Sequence, residues 1–178
     1  MKYLIASDIH GSLDWTNKLL KVFDSGEYDK LILLGDIYYH GPRNPFPDGY
    51  NPKAVSEALN NIKDNLLVIK GNCDAEVDQM ISEFRFEDTF ELEVAGKKIF
   101  LSHGQNYNID NFSDLDFDVM FYGHFHTGFI KEHEGKVFVN PGSISLPKNG
   151  TKNSYAVLEE SGVCMFDFNG NKIKEIKF

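Results

Sequence analysis

Five short apolar runs in this chain each end on residues that can bind metal ions. LIASDIHG ends on Asp8 and His10, LILLGD on Asp36, LLVIKGN on Asn72, IFLSHG on His103, and VMFYGHFH on His124 and His126. Four of the six histidines stand at these run ends, leaving only His40 and His133 elsewhere. Side chains two apart in an extended segment point to the same side, so Asp8 with His10, and His124 with His126, each read as a pincer. The chemistry this pattern offers is a metal site assembled from seven donors.

Each donor also has a plain structural reading. Asp8 and His10 suit an N-cap and a hydrogen-bonded histidine before a helix. Asp36 suits a turn cap, and Asn72 a left-handed turn residue. His103 suits a partly buried core histidine. The GHFH pair resists such a reading, because two core imidazoles would both need partners. His133, in KEHEGK, reads as a solvated loop residue, and His40 as surface or pocket rim.

The elements that must position these residues follow from periodicity. KYLIAS, KLILLGD and NLLVIKGN read as strands. SLDWTNKLLKVFDSG places Trp15, Leu19, Val22 and Phe23 on one helical face, and NPKAVSEALNNIKDN turns Val55, Leu59 and Ile62 inward, with Asn51 as N-cap and Pro52 in the first turn. Strands separated by helices pair in parallel through right-handed crossovers, and ligands of open α/β sheets bind beyond the carboxyl ends of the strands. The proline-rich loop YYHGPRNPFPDGY is long for a connector, as functional loops often are. In the second half, hairpin signals surround Ala95-Gly96, Gly135 and Asn169-Gly170. This half reads as antiparallel. The fold expected is an α/β, four-layer α/β/β/α sandwich of two mixed sheets flanked by helices, one domain over 1–178.

The chain has 178 residues, 42% of them hydrophobic, and 18 basic against 27 acidic residues give a net charge of −9. That balance argues against a nucleic-acid polymer as partner, so any anion must be drawn by local charge. Two cysteines are too few for a disulfide framework. Asp8 interrupts the N-terminal apolar run too early for a signal peptide, and no run is long enough to span a bilayer. A cytoplasmic protein without a membrane partner is expected.

The order DIH, GD, GN, H, GHFH resembles the calcineurin-like metallophosphoesterase superfamily, and HGPRNPFPDGYNP, KGNCDAEVDQM and NPGSISLPK are similar to its small bacterial phosphodiesterases. The resemblance implies the sandwich fold and a two-metal site, with Asp8, His10 and His126 on one ion, Asn72, His103 and His124 on the other, and Asp36 bridging both. It favours manganese. Oxygen and imidazole donors equally suit iron, nickel or zinc. Two such ions about 3.5–4 Å apart share a hydroxide and stabilise in-line attack on phosphorus, and their charge outweighs two carboxylates, so the pocket attracts phosphate. Hydrolysis of a small phosphodiester, with little action on monoesters, is the expected activity. Asn72 is placed to touch phosphate, and Arg43 reads either as a fork for a phosphate oxygen or as a surface arginine. Where many relatives carry a histidine to protonate the leaving group, this chain has Cys73, in GNCD. A thiol is the poorer donor, unless Cys73 is simply a small buried residue. Tyr38, Tyr39, Phe46 and Tyr50 read as a stacking surface or as packing under the loop. The alternatives are a catalytically inactive scaffold, as in the retromer coat subunit of this fold, and a binuclear hydrolase of a non-phosphate ester. The family also favours a homo-oligomer. Because metal binding needs neutral imidazoles, activity is expected to fall as pH drops towards about 6.5.

Overall fold

The computed structural model describes residues 1–178. Strands β1 (Lys2–Ala6), β2 (Lys30–Leu33) and β3 (Leu66–Ile69) pair in parallel, with Ile5 opposite Ile32 and Leu33 opposite Val68. Helix α1 (Leu13–Ser25) starts where the Ser12 hydroxyl accepts the Trp15 amide. Helix α2 (Pro52–Asn60) starts where the Asn51 side chain accepts the Ala54 amide, with proline in the first turn, as its sequence predicts. The helical pattern continues to Asn65, but α2 stops at Asn60 and a 3-10 turn over Lys63–Asn65 leads into β3. A short helix α3 (Glu76–Ile81) and a two-residue strand β4 (Phe86–Glu87), parallel to β3, complete this edge.

The second sheet holds β5 (Phe90–Val94), β6 (Lys97–Leu101), β7 (Val119–Phe121), β8 (Phe129–His133) and β9 (Lys136–Asn140) in the order β5-β6-β7-β9-β8. The predicted hairpins form: Ala95-Gly96 and Glu134-Gly135 all have positive φ, the conformation that matches strand twist in a two-residue turn. This half is not antiparallel throughout, however. β6 and β9 both run parallel to β7, because the long segment 102–118 carries the chain back to start β7 in the same direction. His133 lies at the end of β8, not in a loop. The last three strands, β10 (Ser154–Glu159), β11 (Gly162–Asp167) and β12 (Lys172–Lys177), return to the first sheet. There β10 runs antiparallel beside β1, giving the order β12-β11-β10-β1-β2-β3-β4.

Alternation along the strands separates two cores. Tyr3 and Ile5 face the second sheet and meet Ile99, Leu101, Phe121 and Val139. Leu4 and Ala6 face outward and meet Leu19, Val55 and Leu59 of the helices. The outer face of the second sheet presents Phe100, Met120 and Phe138, and Ile109, Phe112, Leu115 and Phe117 of segment 102–118 cover it without forming a helix. The sandwich therefore has its four layers, the fourth being irregular chain. No helix is long and apolar enough to cross a membrane.

Candidate metal centre

The chain does not stay extended where it leaves these strands. Asp8, His10, Asp36, His124 and His126 have φ between 51° and 65°, and only Ala95, Glu134 and Asn149 share this left-handed backbone among the other non-glycine residues. Such a conformation costs a residue with a side chain on the order of 1–2 kcal/mol, so five of eight cases at one place mark strain held by the surroundings. Loop-to-loop hydrogen bonds hold it: the Asp8 amide donates to Gly35 O (3.1 Å), His10 to Asp36 O (2.9 Å), and Gly123 to His103 O (2.8 Å). Gly71 is needed for the approach of β3 to β2, since a Cβ there would lie 2.2 Å from Asp36 Oδ1.

The left-handed turns overturn the pincer expectation for His124 and His126. Their side chains diverge, because strand alternation no longer applies. His126 Nε2 lies 3.3 Å from Asp8 Oδ1 and 3.1 Å from His10 Nε2. His124 instead places Nδ1 2.6 Å from Asn72 Oδ1, which is also 3.1 Å from His103 Nε2. Asp36 stands between the groups, Oδ2 3.6 Å from His10 Nε2 and Oδ1 3.4 Å from His103 Nε2. Asp8 joins Asp36 and His103, as well as His10 and His126, in donor sets whose atoms lie within 4.8 Å of one another. All seven donors predicted from sequence are thus brought together.

Whether a cation fits here follows from counting protons. His10, His103 and His126 each place Nδ1 2.6–2.7 Å from a backbone carbonyl, of Tyr39, Leu34 and Leu146 respectively. A carbonyl only accepts, so Nδ1 carries the proton and Nε2 of each neutral ring is a bare lone pair. Two of these lone pairs face each other, the third faces the oxygens of Asn72 and Asp36, and the fully buried Asp8 Oδ1 has no hydrogen-bond partner. Apart from the Cys73 amide on Asp36 Oδ1 and the His124 amide on Asp8 Oδ2, acceptors converge, with no donor for Asp8 Oδ1 or between the facing His10 and His126 Nε2 atoms. The arrangement demands positive charge, supplied by protons or by metal ions. The proton route appears in the pKa values: burial alone would lower His103 and His10, but His103 is pushed up to about 9 by Asp36 and Asp8, and His10 is raised by Asp8 and Asp36. Burial opposes ionisation of Asp8 and Asp36, yet both are lowered by their histidine neighbours. His124, half-buried and near His103, is lowered. Divalent cations satisfy the same lone pairs without protons, and a ligand imidazole with its other nitrogen on a carbonyl is the common arrangement at metal sites.

Above the donors lies a cleft of about 660 Å3 whose lining includes Asp36, Asn72, Cys73, His124, Arg43 and Tyr39. Cys73 is half-buried, and its amide donates to Asp36 Oδ1 (2.8 Å). Burial and Asp36 push its thiol up to about 12. Arg43 is exposed at the rim. Of the four loop aromatics, only Tyr39 lines the cleft. Tyr38 is core, its hydroxyl 2.7 Å from Ser82 Oγ. Phe46 and Tyr50 pack against the His40 ring, so His40 belongs to the loop's own packing.

Several supporting residues escaped the sequence reading. The Asn140 side chain donates to Gly123 O (2.7 Å), and the Ser143 and Ser145 hydroxyls donate to Asp8 O (2.7 and 3.1 Å). These residues belong to NPGSIS, whose composition marks a loop but not its targets. Asp74, the acid of GNCD, is buried and accepts the amides of Asp36, Ile37 and Gly71 at 2.7–2.8 Å, tying the end of β2 to the end of β3. Burial and the Asp36 charge push it up to about 6, against those three donors. Asp74→Ala orphans three amides and should lower the unfolding free energy by on the order of 3 kcal/mol. Urea denaturation of the metal-free protein checks this, and a loss under about 1 kcal/mol would show that the clamp is dispensable.

A family model for the calcineurin-like phosphoesterase superfamily domain matches residues 1–162. Phosphodiesterase YfcE of Escherichia coli (strain K12) is 39% identical over 176 residues, covering 97% of this chain and 95% of YfcE. Probable metallophosphoesterase YsnB of Bacillus subtilis (strain 168) is 29% identical over 189 residues, covering 99% and 97%. The solved structure of E. coli YfcE, a phosphoesterase, matches with a TM-score of 0.95 at 35% identity over 99% of both chains. Vacuolar Protein Sorting 29 of Cryptosporidium parvum shares the fold, with a TM-score of 0.68 at 20% identity over 99% and 98% of the two chains.

Proposed function

The chain belongs to the calcineurin-like phosphoesterase superfamily, and from that membership we propose that it hydrolyses small phosphodiesters at a centre of two divalent metal ions. The observation that carries this reading is the convergence of acceptor atoms that outnumber their donors, at the carboxyl ends of five strands. Asp8, His10 and His126 would hold one ion and Asn72, His103 and His124 the other, with Asp36 between them because its two oxygens face different histidines. Bound there, divalent ions supply charge that polarises a phosphoryl group and lowers the pKa of an attacking water. Manganese is the first choice, and iron, nickel and zinc suit the same donors.

The chain's own groups do the rest. The carbonyls of Tyr39, Leu34 and Leu146 fix the tautomers of three imidazoles and so keep Nε2 aimed inward. Asn72, exposed at the cleft, offers an amide N–H to a phosphoryl oxygen. Arg43 offers a charged fork from the rim. The two unpaired cysteines suit the reducing cytoplasm, where we place the protein. Complete donors disfavour the scaffold reading.

Cys73 faces the cleft, where a leaving group would need a proton, and its thiol at about 12 is a weak acid there. Good leaving groups are therefore preferred. Cys73→His should raise turnover of an alkyl ester relative to an aryl ester by roughly tenfold, the lower end of general-acid contributions after imperfect placement. An unchanged ratio would remove Cys73 from the proton pathway. The activity itself is tested with chelator-stripped protein, bis(p-nitrophenyl) phosphate and p-nitrophenyl phosphate, with and without manganese. Manganese-dependent turnover should favour the diester. Faster monoester turnover would overturn the diester assignment, and no turnover with any of the four metals would favour the scaffold.

A further inference from the structure

The cleft carries two features that metal binding does not use. Phe125 stands between His124 and His126. With both neighbours in left-handed backbone, its ring remains 44% exposed on the cleft wall, unlike the usual buried phenylalanine. T-shaped contacts with His124 (5.1 Å) and Tyr122 (6.1 Å) hold the ring in place. Tyr39, 42% exposed, is a second ring on the same cleft.

The other feature is charge. Arg43 and Lys148 both line the cleft, and neither forms an ion pair, whereas seven of the other sixteen basic residues do. In a chain with 27 acidic and only 18 basic residues, two unpaired cations on one cleft favour an anionic ligand there. Lys148 is anchored beside the centre, since its amide donates to the His126 carbonyl (2.9 Å). A phosphodiester carries one negative charge. With Arg43 and the ions directed at that charge, Lys148 is a cation without an anion.

Resting on the phosphodiesterase reading, we propose that Phe125 and Lys148 form a subsite for a nucleotide-like ester substituent, a planar ring stacked on Phe125 and a second anionic group paired with Lys148. Aromatic faces stack on any base, and lysine binds phosphate as a point charge. The acidic surface limits the ligand to mononucleotide size, because a polymer would meet repulsion beyond the cleft.

Two p-nitrophenyl esters of thymidine 5′-phosphate test this, one with a free 3′-hydroxyl and one with a 3′-phosphate. They share a leaving group and differ by one anion. With manganese-loaded protein, kcat/KM should be at least about tenfold higher for the 3′-phosphorylated ester, mainly through KM, and Lys148→Met should bring the ratio below about twofold. Phe125→Ala should lower the preference for the thymidine ester over methyl p-nitrophenyl phosphate by about tenfold. Calorimetric titration of metal-free protein with thymidine 3′,5′-bisphosphate should show binding that Lys148→Met weakens by about tenfold. A wild-type ratio near one, or a ratio that survives both substitutions, overturns the subsite, while turnover of bis(p-nitrophenyl) phosphate in the same samples leaves the phosphodiesterase reading standing. Absence of all diester turnover overturns that reading instead, and the bisphosphate titration then decides the subsite alone.

Discussion

Asp36→Asn should reduce manganese-dependent diester turnover by on the order of a thousandfold without unfolding the protein. The carboxylate does two separable jobs. Its Oδ1 accepts the Cys73 amide at 2.8 Å, a bond that an asparagine oxygen reproduces. Its Oδ2 faces the bare Nε2 of His10 at 3.6 Å, where an asparagine NH2 group would point a donor at a lone pair. The substitution removes one of two carboxylate charges and fills with hydrogens the space a cation needs. It also removes a charge that raises His103 and His10, so below about pH 9 the metal-free variant should melt somewhat lower than the metal-free wild type, while the Cys73 bond and the fold are kept. Kinetics on bis(p-nitrophenyl) phosphate together with thermal melts check both halves. Turnover within tenfold of wild type would remove Asp36 from the centre, and a large drop in melting temperature would make its role structural.

Manganese affinity should weaken steeply as pH falls. In the metal-free protein His103 holds its proton up to about pH 9, and that proton must leave before Nε2 can bind a metal. Below pH 9 the apparent dissociation constant should rise about tenfold per pH unit for one displaced proton, roughly a thousandfold between pH 9 and pH 6. His10, also raised, steepens the slope. The expectation from free histidine, of losses beginning near pH 6.5, thus moves upward because Asp8 and Asp36 sit against these rings. For folding the sign is opposite. A raised histidine pKa stabilises the metal-free fold fully below the unfolded value of about 6.5, and this contribution is lost as pH rises through about 9. Acid should therefore strip the metal while the contribution of these histidines to the metal-free fold is retained. Counting free manganese by electron paramagnetic resonance across this range tests the slope, and a flat profile would mean that histidine protons do not compete with metal.

The donors were legible in sequence because each ends a buried strand, where a polar residue stands out against an apolar run. Helices α1 and α2 were legible through their caps and their apolar faces. What gave no signal was made of backbone. Left-handed φ at Asp8, Asp36 and His124 is not specified by residue type, since aspartate and histidine enter it more readily than most side chains yet adopt it only in a minority of places, and it sends His124 and His126 to different partners. The carbonyls of Leu34, Tyr39 and Leu146 set three tautomers, yet any residue could supply them. Long-range pairing was equally hidden. Nothing local in SYAVLE says that β10 lies beside β1, where Ile5 pairs with Ala156 and Lys2 with Glu159. Segment 102–118 covers its sheet with scattered Ile109, Phe112 and Leu115, a spacing that builds neither helix nor strand. Asp74 was visible as an acid, but its three amide partners come from loops that only the fold brings together.

The most direct test of the two-ion phosphodiesterase is a titration of chelator-stripped protein with manganese, in which bound metal per chain and turnover of bis(p-nitrophenyl) phosphate are measured on the same samples. Turnover that rises with occupancy and reaches its plateau at two ions per chain is the predicted result. Full turnover in the stripped protein, or a plateau at one ion per chain, would contradict it.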